Sequence, residues 1–184
     1  MPTFLSGAVK LASATLLVVL VMAPAVTQAV DEVDKVDDTV YVPSPKYDWN
    51  TRVNQATVAE SDTITLVVHS ARDCSFCARW KGPLGGEGRF RSWSSAHPGT
   101  RLVIVERAAI SSSETPGDYP QDLKWLSDQY QKDNRLRPGT PTFEVFVAQN
   151  LVFRSYGLHS WDEKAFPAVK DLDSRRLRSG ENAK

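Results

Sequence analysis

The chain has 184 residues, of which 41% are hydrophobic, and 22 lysines and arginines balance 22 aspartates and glutamates. This length suffices for one domain with a hydrophobic core and is short for two. The formal net charge of zero excludes an overall field that would gather nucleic acid or an anionic membrane, so we expect a protein or small-molecule partner and no nucleic acid.

The first 29 residues have the pattern of a secretory signal peptide. Lys10 precedes the apolar stretch 11–22, and small residues follow as far as Ala29. This stretch is shorter than the ~20 residues of a membrane-spanning helix. If the apolar segment is counted as far as Val30, it reaches that length, and the segment would then be an uncleaved membrane anchor. We therefore expect an exported protein, periplasmic or secreted and cleaved near Ala29, with an anchored form as the alternative. Disulfides persist in that compartment.

Residues 30–56 are rich in Asp, Val, Pro and Ser and lack a lasting helical period, which predicts a linker or N-terminal arm. We expect the folded domain over 57–178 and a C-terminal tail over 179–184. Within the domain, the runs 63–68 and 101–105 are β-branched and almost continuously apolar, as is typical of strands buried on both faces. The helical sequence between them predicts a parallel pair joined by a crossover helix.

Beyond the second strand, the pattern predicts a helix over 120–134 and then a hairpin. The apolar stripe of the helix consists of Leu123, Leu126 and Tyr130. Residues 142–148 and 151–156 flank the turn at Gln149-Asn150, which predicts two antiparallel strands.

A last helix is expected to begin at Ser160, because Ser160 and Glu163 fit a capping box. Its buried face would be Phe166, Val169 and Leu172. The glycines of 85–88 predict a flexible insertion beside the first helix. Packing in the core or against helices is expected for Trp80, Trp93, Trp125 and Trp161. The element order is β-α-β-α-β-β-α.

The chemistry-bearing motif is Cys74-Ser75-Phe76-Cys77, which follows the first buried strand directly. A thiolate at a helix N-terminus is stabilised by unpaired backbone N–H groups and by the helix dipole. Cys74 is therefore the candidate nucleophile. Cys77, one turn later, is the candidate resolving thiol that releases the partner from a mixed disulfide.

Other uses of the two thiols compete with redox chemistry. A structural zinc site needs four ligands, whereas the three histidines are scattered singly. The two thiols together with His69 or His159 are candidate copper ligands, because thiolates are soft ligands that select Cu(I). A purely structural disulfide that closes so small a loop adds little stability. Redox chemistry is the preferred interpretation.

At this point the chain resembles the thioredoxin-like proteins, from about Thr57 to Leu177. Four features match in order: the strand ending in Cys-x-x-Cys, then Pro83, the Gly-Thr-Pro-Thr of 139–142, and Tyr156-Gly157. The resemblance implies an α/β thioredoxin-like fold with a central mixed sheet flanked by helices. It also implies a cis bond before Pro141, with Thr140 and Pro141 lying against the cysteines and binding an extended substrate peptide.

Departures from thioredoxin itself are Ser75-Phe76 in place of Gly-Pro, Val68 where thioredoxin has a buried acid, and Ser70 in place of an aromatic residue. The expected function is an exported thiol–disulfide oxidoreductase of the reductase or isomerase type. It would act as a monomer on protein substrates with disulfides or thiols, with no metal or organic cofactor and with a membrane-bound electron donor as a candidate partner. The alternative is a thioredoxin-fold copper-binding or metal-site assembly protein that uses the cysteines as ligands.

Overall fold

The computed structural model describes residues 48–181, and the segment expected to be a signal peptide lies outside them. The elements in chain order are α1 (Trp49–Gln55), β1 (Ile64–Ala71), α2 (Ser75–Lys81), α3 (Gly86–Ser94), β2 (Thr100–Arg107), α4 (Lys124–Lys132), β3 (Thr142–Val147), β4 (Asn150–Tyr156), α5 (Gly157–Ser160) and α6 (Phe166–Glu181). Within 48–181, no helix combines the length and the apolar character that crossing a membrane requires.

The four strands form one sheet in the order β2-β1-β3-β4. β1 runs parallel to β2 and antiparallel to β3, and β4 completes an antiparallel hairpin with β3. In register, Val67 of β1 lies between Val103 of β2 and Glu144 of β3. The parallel pair, the hairpin and the α/β architecture of a mixed sheet with flanking helices are therefore confirmed. This architecture is the thioredoxin-like fold.

The two faces of the sheet bury different helices. We call the side that packs against α2, α3 and α6 the α6 face. It joins Val68 and Phe143 of the sheet to Trp80, Phe90 and Leu172 of the helices. The opposite side is the α4 face, on which residues of the sheet pack against α4 and the turns before it. Its apolar members are Val67, Val105, Phe146, Tyr119, Leu123, Leu126 and Tyr130.

Helix α1 lies within residues 30–56, for which the sequence predicts a linker or arm. Asp48 caps it by accepting the backbone N–H of Thr51 at 3.1 Å. Val53 is only 7% exposed and belongs to the hydrophobic core. A helix of two turns is too short to establish a period in the sequence, so it depends on this packing for stability.

The hairpin turn lies one residue earlier than the sequence predicts. Ala148 and Gln149 are its two central residues, with φ angles of 45° and 70°. Positive φ at both central positions matches the right-handed twist of the strands that the turn connects.

The last helical segment begins at Gly157, and the predicted capping box at Ser160 is wrong. The Ser160 hydroxyl instead donates to the Gly157 carbonyl at 2.8 Å from inside the helix. A π-helical turn, Trp161–Ala165, joins α5 to α6. The predicted buried face is confirmed for Phe166, Val169 and Leu172.

The glycines of 85–88 are not a flexible insertion, because α3 begins at Gly86. A Cβ atom on Gly86 would lie 1.9 Å from Trp80 Nε1 and 2.7 Å from Trp161 Nε1. The position thus lets two indoles approach the backbone. The predicted packing of the tryptophans is confirmed, since all four join the core clusters.

Candidate redox-active site

The two cysteines form a disulfide at the start of α2, with their Cα atoms 5.2 Å apart. Cys74 is the N-cap residue of this helix. Its backbone N–H donates to the Ala71 carbonyl at 3.2 Å, so a tight turn joins the end of β1 to the helix. The motif therefore lies at a helix N-terminus, as its position after a buried strand predicts.

The backbone of α2 points a donor at the sulfur of Cys74. The Cys77 N–H donates to Cys74 Sγ at 3.1 Å. When the pair is reduced, this bond would favour the thiolate form of Cys74, because hydrogen bonds to an ionised acceptor are stronger than those to a neutral one. The dipole of the helix acts in the same direction.

Exposure does not distinguish the two cysteine residues. Cys74 is 3% exposed and Cys77 is 1% exposed, and both pack with Ala71. Of the residues between them, Ser75 is exposed and Phe76 is 56% exposed. The assignment of roles to the cysteines therefore depends on the hydrogen bond at Cys74 Sγ.

The loop before β3 reaches the end of β1 that carries the disulfide. His69 lies opposite Thr142 in the sheet, which places Pro141 beside the last residues of β1. The Thr140–Pro141 peptide bond is cis, as the resemblance implies. The Pro141 carbonyl accepts the Gly157 N–H at 2.9 Å, and this bond holds the loop against the start of α5.

Charged side chains around the motif are partly neutralised. Lys81 forms an ion pair with Glu106 and holds the pKa of that carboxyl below its usual value. Asp73 Oδ1 accepts the Ile110 N–H at 2.7 Å, which ties the loop after β2 to the residue before Cys74. Two further cations near the motif are exposed, namely Arg72 and Arg79.

Three exposed apolar side chains lie on segments around the disulfide, and we call them the apolar rim. Phe76 is in the motif, Ile110 is on the loop tied to Asp73, and Tyr156 ends β4 next to Gly157. They are 56%, 49% and 57% exposed, respectively. Exposed apolar side chains of this size near a reactive group are candidates for contact with a partner.

A buried network of ionisable groups lies on the α4 face. His69 Nδ1 is 2.9 Å from Glu114 Oε1, and His69 Nε2 is 3.4 Å from Glu144 Oε2. Burial alone would lower the pKa of His69, but the hydrogen bonds with Glu114 and Glu144 outweigh it and raise the pKa to about 9. Burial would raise the pKa of Glu144, but His69 and Arg154 bring it down to about 2.

Sequence reasoning missed this network. It noted Val68 at the position of thioredoxin's buried acid, whereas the buried acid of this strand pair is Glu144, on the opposite face of the sheet. The signal was present, because His69 and Glu144 each interrupt an apolar strand sequence. An ionisable residue in such a run is buried, and a buried charge needs a partner.

The histidines proposed as copper ligands have other contacts. Both ring nitrogens of His69 face carboxylates in the buried network. His159 is 86% exposed and lies 3.0 Å from Glu163. Over residues 48–181, no group of three or more His, Cys, Asp or Glu side chains has an arrangement that could hold a metal ion.

The strand order, the disulfide at the N-terminus of α2 and the cis Thr140–Pro141 bond define a thioredoxin-like fold with a Cys-x-x-Cys redox centre. This combination supports a thiol–disulfide oxidoreductase in general. No protein-family model matches the chain, and no curated protein sequence is significantly similar to it.

Among solved structures, the chain is similar to thioredoxin O2 from Arabidopsis thaliana, with 15% identity and a TM-score of 0.36 over 64% of this chain and 82% of that one. It is also similar to thioredoxin NaTrxh from Nicotiana alata, with 17% identity and a TM-score of 0.37 over 67% of this chain and 84% of that one. The periplasmic thioredoxin SoxS from Paracoccus pantotrophus has 17% identity and a TM-score of 0.33 over 61% of this chain and 97% of its own. These identities and TM-scores are low, and the thioredoxin-like fold is shown by the strand order and the position of the disulfide.

Proposed function

We propose that the protein is an exported thiol–disulfide oxidoreductase of the reductase or isomerase type that acts on protein disulfides. The observation that carries this proposal is the hydrogen bond of 3.1 Å from the Cys77 N–H to Cys74 Sγ at the N-cap of α2. It favours a reactive thiolate at Cys74, which is the species that attacks a disulfide.

In the proposed reaction, the Cys74 thiolate attacks one sulfur of the substrate disulfide. A mixed disulfide forms, and the other substrate sulfur leaves as a thiolate. The Cys77 thiolate then attacks Cys74 Sγ, so that the Cys74–Cys77 disulfide forms and the substrate leaves with both sulfurs reduced. In isomerisation, the freed substrate thiolate would instead attack another disulfide of the substrate. The substrate thiolate displaced by that attack would then attack the substrate sulfur of the mixed disulfide and release Cys74 as a thiolate.

A protein substrate fits the surroundings of the disulfide. The apolar rim offers contact area for side chains of a partner, while Thr140 and Pro141 are proposed to position an extended stretch of its backbone. Thr140 is half-buried and Pro141 is buried next to the end of β1. We propose that the protein works as a monomer without a metal or organic cofactor.

Export is proposed from the signal-peptide pattern of residues 1–29, with cleavage near Ala29 and a periplasmic or secreted location. A reductase in that compartment needs electrons, and a membrane-bound donor is the proposed source. We expect a reduction potential between about −270 and −120 mV, because the motif has neither the Gly-Pro of thioredoxin nor a cation between its cysteines.

Trapping of intermediates tests the roles of the cysteines. Cys77→Ser should accumulate mixed disulfides with other exported proteins, whereas Cys74→Ser should not, because only the first variant keeps the attacking thiolate and loses the resolving one. Diagonal non-reducing and reducing gels of the two variants, with the double variant as control, measure this. Equal trapping by both single variants would contradict the assignment.

Two measurements distinguish the copper-binding alternative from the proposed function. One is the metal content of the protein purified under reducing conditions, and the other is its activity in reducing the disulfides of insulin. No contact among the described residues favours copper binding, since His69 and His159 are engaged elsewhere. Stoichiometric copper without dithiol reactivity would replace the proposed function.

A further inference from the structure

A cavity of about 790 Å³ lies between α1, the end of α4 and the start of β4. Its lining includes Arg52 of α1, Arg135 after α4 and Arg154 of β4, together with Trp49. We call it the arginine cavity. Its volume is within the range of ~300–1,000 Å³ that is typical of small-molecule pockets. It adjoins the start of β4, whereas the disulfide site adjoins the last residue of that strand, Tyr156.

Arg154 is a buried cation with an unused donor. Its side chain is 9% exposed, and its Nε donates to Glu144 Oε1 at 2.5 Å. Its Nη2 is buried and has no hydrogen-bond partner within residues 48–181. Leaving a buried charged donor unpaired is costly, so the charge of Arg154 is only partly compensated at the wall of the cavity.

The other side chains hold Arg154 in place. Arg154 Cζ lies 5.6 Å from the centroid of the Trp49 ring, and Arg52 Cζ lies 5.3 Å from the same centroid. Both guanidiniums therefore contact one indole. Such cation–π contacts stabilise the arginines but do not neutralise them.

The carboxylate behind the cavity is already shared. Glu144 Oε1 lies 2.5 Å from Arg154 Nε and 3.7 Å from Arg135 Nη2. Glu144 Oε2 lies 3.4 Å from His69 Nε2. Arg52 donates to a backbone carbonyl of β4 at 3.3 Å, which carries no charge. Among the described residues, the lining of the cavity includes one acid, the exposed Asp133, and Glu144 is not part of that lining. Positive charge is therefore in excess at this surface.

We propose that the arginine cavity binds a small organic anion through a carboxylate or phosphate group held by Arg52, Arg135 and Arg154. Guanidinium groups present parallel N–H donors that match the two oxygens of either group. The cavity exceeds the size of a single oxyanion, so the remainder of the ligand would lie along Trp49 and the apolar side chains of Leu151 and Val152. The site is separate from the disulfide and does not depend on the proposed redox function.

Calorimetric titration of the oxidised full-length protein at constant ionic strength tests the site. Citrate is the carboxylate probe and glycerol 3-phosphate is the phosphate probe. We expect saturable binding of at least one probe at one site. Arg52→Gln and Arg135→Gln should each weaken it about five- to tenfold, because each removes charged hydrogen bonds.

The matched control is Arg101→Gln on the opposite edge strand, β2. Arg101 is 38% exposed and ion-paired with Asp122, and Arg135 is 36% exposed, so the two substitutions remove similar surface charges. Arg101→Gln should leave the affinity unchanged. Arg52 is on the surface, so Arg52→Gln keeps the test valid if Arg135→Gln fails to fold.

Nuclear magnetic resonance locates the bound probe. The indole N–H signal of Trp49, assigned through Trp49→Phe, should shift with the same saturation curve as the heat. Binding of citrate alone identifies a carboxylate, and binding of glycerol 3-phosphate alone identifies a phosphate. The proposal is overturned if neither probe saturates by ~10 mM, if Arg101→Gln weakens binding as much as Arg52→Gln, or if the Trp49 signal does not move.

Discussion

The two faces of the sheet are buried in different ways, although they share the same strands. On the α6 face, Phe143 and Val145 pack among aromatic and aliphatic side chains. On the α4 face, Glu144 lies between them in sequence and is equally buried, but it depends on hydrogen bonds and ion pairs. The comparison shows that alternate residues of one strand can be stabilised by packing or by charge pairing.

The two faces are therefore expected to lose stability in different ways when a side chain is replaced or the pH is changed. An apolar face loses stability in proportion to the contacts removed and is insensitive to pH. A buried charge network loses much more when one member is removed, because the remaining charges are left uncompensated. The network is also closed by two tyrosines, since Tyr130 donates to Glu144 and Tyr119 donates to Glu114. Burial and these carboxylates raise the pKa of both phenols above the usual value.

The largest expected effect comes from Glu144→Gln. It removes the carboxylate that Arg154 and His69 share, so we expect a loss of about 3–5 kcal/mol in the free energy of unfolding. Urea unfolding at pH 7 measures this. Glu163→Gln, which removes an exposed ion pair with His159, is the control and should change stability little. If the two variants were equally stable, the buried network would not stabilise the α4 face.

The second effect is a dependence of stability on pH. Since the pKa of His69 is raised from 6.5 to about 9, its contribution is fully present below pH 6.5 and is lost as the pH rises through 9. The shift corresponds to about 3 kcal/mol. Because the pKa of Glu144 is lowered to about 2, its contribution is present above pH 4.5 and is lost as the pH falls through 2.

Urea unfolding of the oxidised protein between pH 6 and 10 measures the alkaline loss, and the disulfide keeps the cysteines from titrating. Val145→Ala, on the α6 face of the same strand, should lower the free energy of unfolding by the same amount at every pH. His69→Gln should remove most of the change in the free energy of unfolding between pH 6 and 10. A wild-type curve that stays level over this interval would show that His69 is not stabilised in its charged form.

A smaller effect is expected on the α6 face from Gly86→Ala. The added Cβ would overlap the indoles of Trp80 and Trp161, so we expect a loss of about 1–3 kcal/mol from overpacking. Gly82→Ala is the matched control, because a Cβ there would meet its nearest atom, the Arg79 carbonyl oxygen, at 3.5 Å. Tryptophan fluorescence during unfolding compares them. Equal stability of the two variants would mean that the indoles move aside without cost.

The smallest effect is expected outside both faces. Arg101→Gln removes an ion pair with Asp122 in which the side chains are 38% and 55% exposed. Solvent screening limits such a pair to about 0–1 kcal/mol. Unfolding at low and high salt measures it, and any difference should vanish at high salt. A loss as large as that of Glu144→Gln would remove the distinction between buried and exposed charge.

Much of the fold follows from local patterns in the sequence. The apolar β-branched runs predict β1 and β2, and the spacing of Leu123, Leu126 and Tyr130 predicts the helical turn that continues into α4. The place of Cys74 directly after a buried strand predicts its position at the N-terminus of a helix. Such features depend on neighbours within one or two turns, so they can be read from the sequence alone. The roles of Thr140 and Pro141 remain predictions.

Contacts between residues that are distant in sequence could not be predicted from these local patterns. His69 and Glu144 are 75 positions apart, and nothing local to either one identifies its partner. The sequence around Gly86 predicts a flexible segment, whereas in the structure the indoles of Trp80 and Trp161 pack against Gly86. Helix α1 is too short to persist without the core that covers Val53. Periodicity reports which face of an element is buried, but pairing of charges and close approach of backbones depend on how those elements are assembled.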